Sequence, residues 1–533
     1  MKTKSILFLL FIACSSLFSQ TPKIKWWYNT NDFSAGQTAA KDIDGDGKKE
    51  LVFGCYRNDS SIYALNSENG TLLWKYNASA VGTHGCNDVA PIIYNVDNIG
   101  SEEVIVPASC NPKTFCFNGP NGTVKWVANT KGSDSPPTIA DVDNDGKPEV
   151  LHGEFGGYVL CLNAEDGSQA WEIKVDGNSW IQTAPTIVDL DNNGQLDFVV
   201  ATWNFNYKDS IFAFRGNNQT RLWAYPVHDH IYHGTAVADL DNDGKPELLI
   251  GSYNDTLYCI NGENGTTAWK YCGSGYVGSP AAIGDIDNDG ICDVVFTNGS
   301  QVTALSNSGA LKWTYTIPNF GQAFRGVALA DMNKDVYLDV VFGSSKGQLM
   351  ALNGNNGSLQ WSIDLAAHYG NSQYSLSHAP VISDFDGDDT LDVFIVGGYG
   401  IYPNTSGNFG RAYMVSVAKG NGPDWLMFQR DIWRQSSMCS NSPTAIHELE
   451  NGKENTIVYP NPAHSVLNFK LSEENESANM VKIFNCNGSL VAEEEIISAD
   501  HSINISEWPA GIYFYQVLFN GNKTMTGKFV VEK

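Results

Sequence analysis

The sequence predicts an all-β protein in which an eight-bladed β-propeller is followed by a small β-sandwich. Three observations lead to this fold class. An acidic phrase, Asp-x-Asp-x-Asp-Gly-x-x-Asp/Glu, recurs at spacings of 46 to 53 residues. Each copy lies among four short strand-like segments, and a tryptophan recurs in the fourth segment. Repeats of this length with four strands each are typical of propeller blades.

The acidic phrase is clearest at Asp141–Glu149. Its eight copies begin at Asp42, Asn95, Asp141, Asp189, Asp239, Asp285, Asp331 and Asp384. The copy at Asn95 has Ile99 where an acid is expected. Seven blades are therefore the alternative, if this degenerate repeat does not form a blade.

The repeat that contains Asp239 illustrates the order of elements. A small-apolar first strand precedes the acidic loop, a fully apolar second strand follows it, and Asn264-Gly265 marks a hairpin between the third and fourth strands. The fourth-strand tryptophans are predicted to pack between blades rather than to bind ligand: Trp74, Trp126, Trp171, Trp223, Trp269, Trp313 and Trp361.

The two ends of the repeat array complement each other. The eighth repeat loses the pattern after a third strand at 412–417, whereas 24–28 reads as a strand without a repeat of its own. We expect this N-terminal strand to complete the last blade and to close the ring, which leaves few unpaired sheet edges. The segment 425–437 is expected to pack on the ring.

Residues 1–20 are predicted to be a signal peptide, with Lys2 and Lys4 before an apolar stretch and cleavage near Gln20. Cys14 offers a lipoprotein attachment site as an alternative. The predicted domains are the propeller at 21–437, a linker at 438–456 and a small β-domain at 457–533. No segment after the signal peptide is apolar enough to span a bilayer.

Composition narrows the partners. The net charge of −26 and the pI of about 4.6 make nucleic acid a poor partner.

Ten cysteines remain without Cys14, and an exported chain can oxidise them. Cys86, Cys110 and Cys116 lie in one repeat and are the best candidates for a disulfide, with buried free thiols as the alternative.

The acidic loops are predicted to bind Ca²⁺. Positions 1, 3, 5 and 9 supply hard oxygen ligands without His or Cys, which favours Ca²⁺ over Zn²⁺, and glycine at position 6 permits a sharp bend with positive φ. Two carboxylates ~4 Å apart repel by ~4 kcal/mol at an effective dielectric constant near 20, so a metal-free solvated turn is the weaker alternative. The predicted ligands form six loops: Asp42, Asp44, Asp46 and Glu50; Asp141, Asp143, Asp145 and Glu149; Asp189, Asp191, Asn193 and Asp197; Asp239, Asp241, Asp243 and Glu247; Asp285, Asp287, Asp289 and Asp293; Asp384, Asp386, Asp388 and Asp392.

Two loops are left out of this set. The loop at Asp331 has Val336 where glycine is expected, and the degenerate loop at Asn95 is expected to bind nothing.

On these motifs, residues 24–430 resemble the FG-GAP/VCBS repeat family, the integrin-α-like propellers. The resemblance implies a propeller fold and calcium but does not specify a function. The third and fourth strands are also similar to the repeats of quinoprotein-like eight-bladed propellers.

The last domain carries a second resemblance. Tyr459-Pro460-Asn461-Pro462-Ala463, Gly511-Ile512-Tyr513 and 528–531 occur in the order of a type A C-terminal sorting domain of type IX secretion in Bacteroidota. The resemblance implies export through the outer membrane by that machinery, followed by release or attachment to the cell surface.

A ligand site is expected at the face opposite the acidic loops, where the segments that enter the innermost strands converge. The candidate residues are Asp88, Asp134, Gln182, His233, Arg325 and His378. Mixed aromatic, acidic and basic groups suit a glycan or protein ligand, whereas a water-filled polar channel is the alternative. A zinc site at His228, His230 and His233 is not favoured, because the spacing is not diagnostic.

Three functions remain open from the sequence. A non-catalytic binding or adhesion protein is the leading interpretation. The second is a polysaccharide-active enzyme similar to eight-bladed rhamnogalacturonan lyases, with His233, His378 and Arg325 as candidate catalytic groups. The third is a structural module that only presents a partner.

Overall fold

A computed structural model describes the chain in two compact units that lie within 1–445 and 446–533. The described residues are 21–81, 85–87, 89–97, 99–177, 179–439, 457–459, 463–470, 478–485, 490–495, 500–506, 508–519 and 524–531. The predicted signal peptide with Cys14, most of the predicted linker, and Asp88 lie outside these residues.

The first unit consists of antiparallel four-stranded sheets that follow one another along the chain, as the repeats predict. It begins with β1 (Lys23–Thr30). The first three sheets are β2 (Ala39–Lys41), β3 (Glu50–Gly54), β4 (Ser61–Asn66) and β5 (Leu72–Asn77); β6 (Ile92–Tyr94), β7 (Glu103–Ala108), β8 (Lys113–Asn118) and β9 (Val124–Asn129); and β10 (Thr138–Ala140), β11 (Glu149–Glu154), β12 (Tyr158–Asn163) and β13 (Gln169–Lys174).

The fourth sheet carries an additional two-stranded ribbon. Its strands are β15 (Thr186–Val188), β16 (Asp197–Ala201), β18 (Ser210–Arg215) and β19 (Arg221–Pro226), and the ribbon pairs β14 (Ser179–Trp180) with β17 (Trp203–Asn204). The fifth and sixth sheets are β20 (Ala236–Ala238), β21 (Glu247–Ser252), β22 (Thr256–Asn261) and β23 (Thr267–Cys272); and β24 (Ala282–Gly284), β25 (Asp293–Asn298), β26 (Gln301–Leu305) and β27 (Leu311–Thr316).

The seventh sheet is β28 (Ala328–Ala330), β29 (Asp339–Gly343), β30 (Gln348–Leu352) and β31 (Leu359–Asp364), and the eighth contains β32 (Val381–Ser383), β33 (Leu391–Tyr399) and β34 (Phe409–Ala418). Helical turns are few: the α-helix α1 (Leu365–Tyr369) and short 3₁₀ turns at Ala78–Val81, Pro318–Phe320 and Thr405–Gly407. Among the described residues the first unit therefore contains eight four-stranded sheets, and the degenerate repeat at Asn95 forms one of them.

The N-terminal strand completes the last sheet, as predicted. β1 pairs antiparallel with β34, so the eighth sheet has the order β1-β34-β33-β32. The first and the eighth sheets then pack together, with the rings of Phe53 and Phe394 5.8 Å apart in one shared hydrophobic cluster. The two ends of the array are thus joined by both hydrogen bonds and apolar packing.

The recurring tryptophans pack between sheets. Five of the seven predicted residues donate the indole N–H to a carbonyl in the hairpin of the following sheet, as Trp74 does to Gly119 at 2.6 Å. Glycine is required beneath the ring, since a Cβ at Gly122 (φ +64°) would lie 2.5 Å from Trp74. Trp26 of β1 makes the same contact with Ser67 and Gly70 of the first sheet.

Residues 421–438, here called the central segment, lie against the innermost strands. Their backbone carbonyls accept N–H groups from six of those strands and from Asp331, which follows the innermost strand of the seventh sheet. For instance, Leu426 accepts from Ala40 and Gln435 from Val237, both at 2.8 Å. The second sheet is reached by Arg434, which donates to Pro91 O at 3.2 Å. The space between the innermost strands is therefore filled by the chain itself rather than by the water-filled channel considered above.

Two disulfides are described in the first unit. Cys86–Cys110 fulfils the prediction for that repeat, and Cys116 is a buried free thiol. The second bridge, Cys292–Cys439, was not predicted, because its partners are 147 residues apart. It connects an acidic loop to the residue that follows the central segment.

The second unit is a small β-sandwich, as predicted. One sheet has the order β35 (Ile457–Tyr459), β36 (Val466–Lys470) and β39 (Asp500–Asn504), and the other has the order β38 (Leu490–Glu495), β37 (Ala478–Asn485), β40 (Gly511–Phe519) and β41 (Thr524–Val531). Both sheets contribute to one buried cluster that includes Leu467, Phe469, Ile483 and Phe529.

The helices of the described residues are short. None of them is both long and apolar enough to cross a membrane.

Candidate metal loops and ligand face

The acidic loops share one local geometry, because each carboxylate is held by the loop's own backbone. In the loop at Asp141, the position-1 carboxylate accepts the N–H groups of Asp145 and Gly146 at 3.1 and 2.9 Å, while Glu149 accepts the N–H of Val142 at 3.0 Å. Position 6 has positive φ in all eight loops, including Val336 (+73°) and Asp389 (+63°) in place of glycine. The turn therefore survives both replacements.

The position-9 carboxylate is buried in every loop and faces the other acids. Burial and the neighbouring loop carboxylates raise the pKa of Glu50 to about 8 and those of Glu149 and Glu247 to about 7, although each accepts a backbone N–H. Asp239, only 8% exposed, has an Oδ1 atom without a hydrogen-bond partner. Clusters in these loops bring three acidic oxygens within 4.8 Å of one another, a donor set that fits a metal ion.

In four loops a lysine or arginine side chain contacts the carboxylates at positions 3 and 9. Lys125 lies 2.6 Å from Asp97 and 2.9 Å from Glu103, and Lys312 lies 2.6 Å from Asp287 and 2.7 Å from Asp293. The other two pairs are Arg215 with Asp191 and Asp197, and Lys25 with Asp386 and Asp392. Burial raises the pKa values of Asp197, Asp293 and Asp392 to about 6, and the basic partner offsets part of that rise.

In the loop at Asp331, side-chain amides rather than basic groups contact the carboxylates. Gln360 Nε2 lies 3.0 Å from Asp339, and Asn421 of the central segment donates to Asp331 at 3.0 Å. The face that carries the eight loops is called the acidic face below.

The opposite face is formed by the segments between sheets and by the turns between second and third strands. The predicted ligand residues fall there into two groups. Gln182 donates to Asp134 at 3.0 Å, and Arg325 Nη1 donates to His233 Nε2 at 3.1 Å. The charge of Arg325 also acts on His378. Asp88 cannot be placed, because it lies outside the described residues.

The two histidines are neutral and buried. His233 bonds through Nδ1 to the carbonyl of Gly278, and burial and the Arg325 charge hold its pKa well below the ordinary value. Burial lowers the pKa of His378 to about 3; its Nδ1 donates to Ala379 O at 3.0 Å, while its Nε2 has no partner. Because both rings are at most 4% exposed, neither presents a base to solvent. His230 stacks on Trp203 at 4.0 Å, so the three histidines considered for zinc make separate contacts.

A set of aromatic rings covers part of the opposite face, in two ring-contact groups that adjoin where the β14–β17 ribbon pairs Trp180 with Trp203. We call it the aromatic belt; it extends from Phe155 in the third sheet to the segment before the seventh. Its members are Phe155, Trp180, Trp203, Phe205, Tyr207, His230, Tyr232, Tyr253, Tyr276 and Phe324. Adjacent rings have centroids 4.0 to 5.5 Å apart.

The belt combines exposed rings with anchored ones. Phe205 and Tyr207 are 55% and 60% exposed, and the β14–β17 ribbon pairs Trp180 with Trp203 beneath them. The guanidinium of Arg325 lies 5.1 Å from the centre of the Tyr232 ring. Sequence reasoning missed most of the belt; the aromatic run Trp203-Asn204-Phe205-Asn206-Tyr207 in a lengthened turn is the signal that could have revealed it.

Three protein families match parts of the chain. Residues 457–532 match the secretion system C-terminal sorting domain. Residues 141–200 and 189–250 match the FG-GAP-like repeat, and residues 244–426 match the family of the outer membrane protein assembly factor BamB. The chain is therefore a propeller-type protein that carries a type IX sorting domain and is exported to the cell surface or secreted.

One curated relative, the rhamnogalacturonan endolyase YesW of Bacillus subtilis, is 26% identical in an alignment of 272 residues that covers 44% of this chain. The matched region spans 39% of the relative's length. Among solved structures, the Vibrio cholerae biofilm matrix protein Bap1 gives a TM-score of 0.56 at 14% identity, with 77% of this chain and 94% of that one covered. The quinohemoprotein alcohol dehydrogenase of Comamonas testosteroni gives 0.55 at 13% identity, with 76% and 77% covered. These structural likenesses establish the propeller fold alone.

Proposed function

We propose that this exported propeller is a non-catalytic glycan-binding protein that takes a polysaccharide on its aromatic belt and holds Ca²⁺ in its acidic loops. In this proposal 21–437 is the binding domain, 438–456 a linker and 457–533 the sorting domain recognised by the type IX machinery. The aromatic belt is the observation that carries the proposal.

Exposed aromatic rings in a row favour a sugar polymer as the occupant. A pyranose ring has an apolar C–H face that packs on an aromatic ring and hydroxyl groups that need hydrogen-bond partners. The belt places Asn206 and Gln322 among its rings, and Tyr276 already donates to Gln322 at 2.9 Å. Part of the chain is similar to the rhamnogalacturonan endolyase YesW, whose name specifies a polysaccharide. This likeness favours a glycan ligand over a protein ligand.

Calcium has a structural role in this proposal. The acidic face is formed by turns whose carboxylates are buried or close to one another, and a divalent cation would neutralise them. When bound, it would be held by the carboxylates at positions 1, 3, 5 and 9. The belt lies on the other face, so the cation would stabilise the scaffold that positions the rings without touching the ligand.

Removal of exposed rings tests glycan binding. Phe205→Ala and Tyr207→Ala should each weaken binding to rhamnogalacturonan polysaccharide by about 3- to 10-fold, because a ring contact contributes about 0.5–1.5 kcal/mol. Binding is measured by affinity electrophoresis or calorimetry on the intact exported chain.

The matched control is Trp27→Ala, which removes an aromatic residue that is 50% exposed on β1, outside the belt. Its binding should equal that of the wild type, and all three variants should keep the wild-type melting temperature. Equal losses in all three variants, or in none of them, would refute the belt as the site.

A rhamnogalacturonan lyase is the second candidate, favoured by the likeness of part of the chain to the rhamnogalacturonan endolyase YesW. A lyase forms unsaturated products that absorb ultraviolet light. Formation of such products by the wild type would establish catalysis. Binding without product would favour the non-catalytic function.

A further inference from the structure

The residue before each fourth-strand tryptophan divides the acidic loops into two classes. In the second, sixth and eighth sheets this residue is Lys125, Lys312 and Lys25, and each reaches the position-3 and position-9 carboxylates of its own loop. In the fourth sheet Arg215 does the same from the third strand. These basic groups thus occur in alternate sheets.

The first, third and fifth sheets have a different residue at this place. Leu73, Ala170 and Ala268 precede their tryptophans and carry no charge. Among the described residues, no lysine or arginine lies within 4.0 Å of the position-3 or position-9 carboxylates of these loops. Their loop lysines extend instead to hairpin glutamates, as Lys147 does to Glu165 at 2.8 Å.

We propose that Lys25, Arg215 and Lys312 act as built-in counter-cations that exclude Ca²⁺ from their loops, so that the chain binds three ions, at the loops of Asp42, Asp141 and Asp239. The inference rests on the calcium part of the proposed function. It narrows the six predicted metal loops to three.

The exclusion follows from geometry and charge. An ammonium or guanidinium within 3.3 Å of two carboxylates occupies the place where a cation would coordinate them. A divalent ion that entered the loop would face a positive charge at the same distance and would have fewer free oxygens. In the degenerate second loop, Lys125 contacts the carboxylates of Asp97 and Glu103 in the same way.

Calcium counting on the intact exported chain tests the assignment. After dialysis against buffered Ca²⁺, elemental analysis should find three ions per chain. Lys312→Ala gives the sixth sheet the alanine found in the third and fifth, and it should raise the count to four. Lys312→Met, which keeps the aliphatic stem, should do the same.

The reciprocal substitution Ala268→Lys should lower the count to two. Lys270→Ala is the matched control, because Lys270 lies on the same strand but over the ring of Tyr258 at 4.8 Å; its count should stay at three. Circular dichroism verifies that each variant is folded.

Six ions in the wild type, or no gain in either Lys312 variant, would overturn the assignment. Absence of calcium from the wild type and from every variant would overturn the calcium part of the proposed function as well, and this result is distinct from a count of six.

Discussion

His152 is a fully buried residue whose ring has two neutral partners. Its Nδ1 donates to the carbonyl of Gly153 at 3.1 Å, and its Nε2 accepts the hydroxyl of Thr114 at 2.9 Å. Burial lowers its pKa to about 4, because the charged ring would lose its hydration. The neutral ring therefore connects the second and third sheets, and burial disfavours its protonation.

The pH dependence of stability tests this state. The unfolded chain protonates histidine near pH 6.5 and the folded chain only near 4, so the unfolded state holds more protons between these values. The free energy of unfolding should fall as the pH drops through this window, by about 3 kcal/mol from His152 alone. His152→Gln should flatten the decrease of melting temperature between pH 6.5 and 4.5. Parallel curves for the two proteins would refute a neutral His152.

Elements whose signals are local could be predicted from the sequence. The acidic loops place all their oxygens within nine residues, and the hairpins and tryptophans recur in a fixed order. For the central segment the sequence predicts only that 425–437 packs on the ring, and for the aromatic belt the one local signal is the aromatic run at 203–207. The belt assembles loops from five neighbouring sheets, and the central segment meets its partners through backbone atoms that any sequence offers.

Arg434 shows how the central segment is held. It is fully buried and donates to the carbonyls of Pro137, Phe428 and Pro91 at 3.0, 2.6 and 3.2 Å. Its own carbonyl accepts the side-chain amide of Gln429 at 3.0 Å. One side chain thus connects the central segment with the second and third sheets.

Replacement of this side chain should destabilise the propeller. Arg434→Met keeps the length of the side chain but leaves the three carbonyls without their donor, so the free energy of unfolding should fall by about 3 kcal/mol or more. Urea denaturation measures the change, and the exposed Arg221→Met serves as the control with no change expected. Equal midpoints for both variants would contradict the role given to Arg434.

At the scale of the whole molecule, the two faces of the propeller carry different chemistry. The acidic face contributes much of the net charge of −26 and holds the loops proposed for calcium. The opposite face carries the aromatic belt, with the buried Arg325 next to it. The sorting domain accounts for export. In the proposed function, calcium on the acidic face would stabilise the propeller and the opposite face would bind the glycan.

Because the acidic loops and the aromatic belt lie on opposite faces, calcium should affect glycan binding only through the stability of the propeller. Removal of Ca²⁺ should loosen the loops and lower the melting temperature, whereas none of the belt residues belongs to an acidic loop. Glycan binding should therefore weaken in EDTA only to the extent that the propeller unfolds.

The most direct test of glycan recognition is a polysaccharide array probed with the intact exported chain in Ca²⁺. We predict saturable binding to one class of polysaccharide, loss of that signal in Tyr207→Ala but not in Trp27→Ala, and no cleavage of the bound polymer. Absence of binding to every polysaccharide, or release of unsaturated fragments from the bound one, would contradict non-catalytic glycan binding by the aromatic belt.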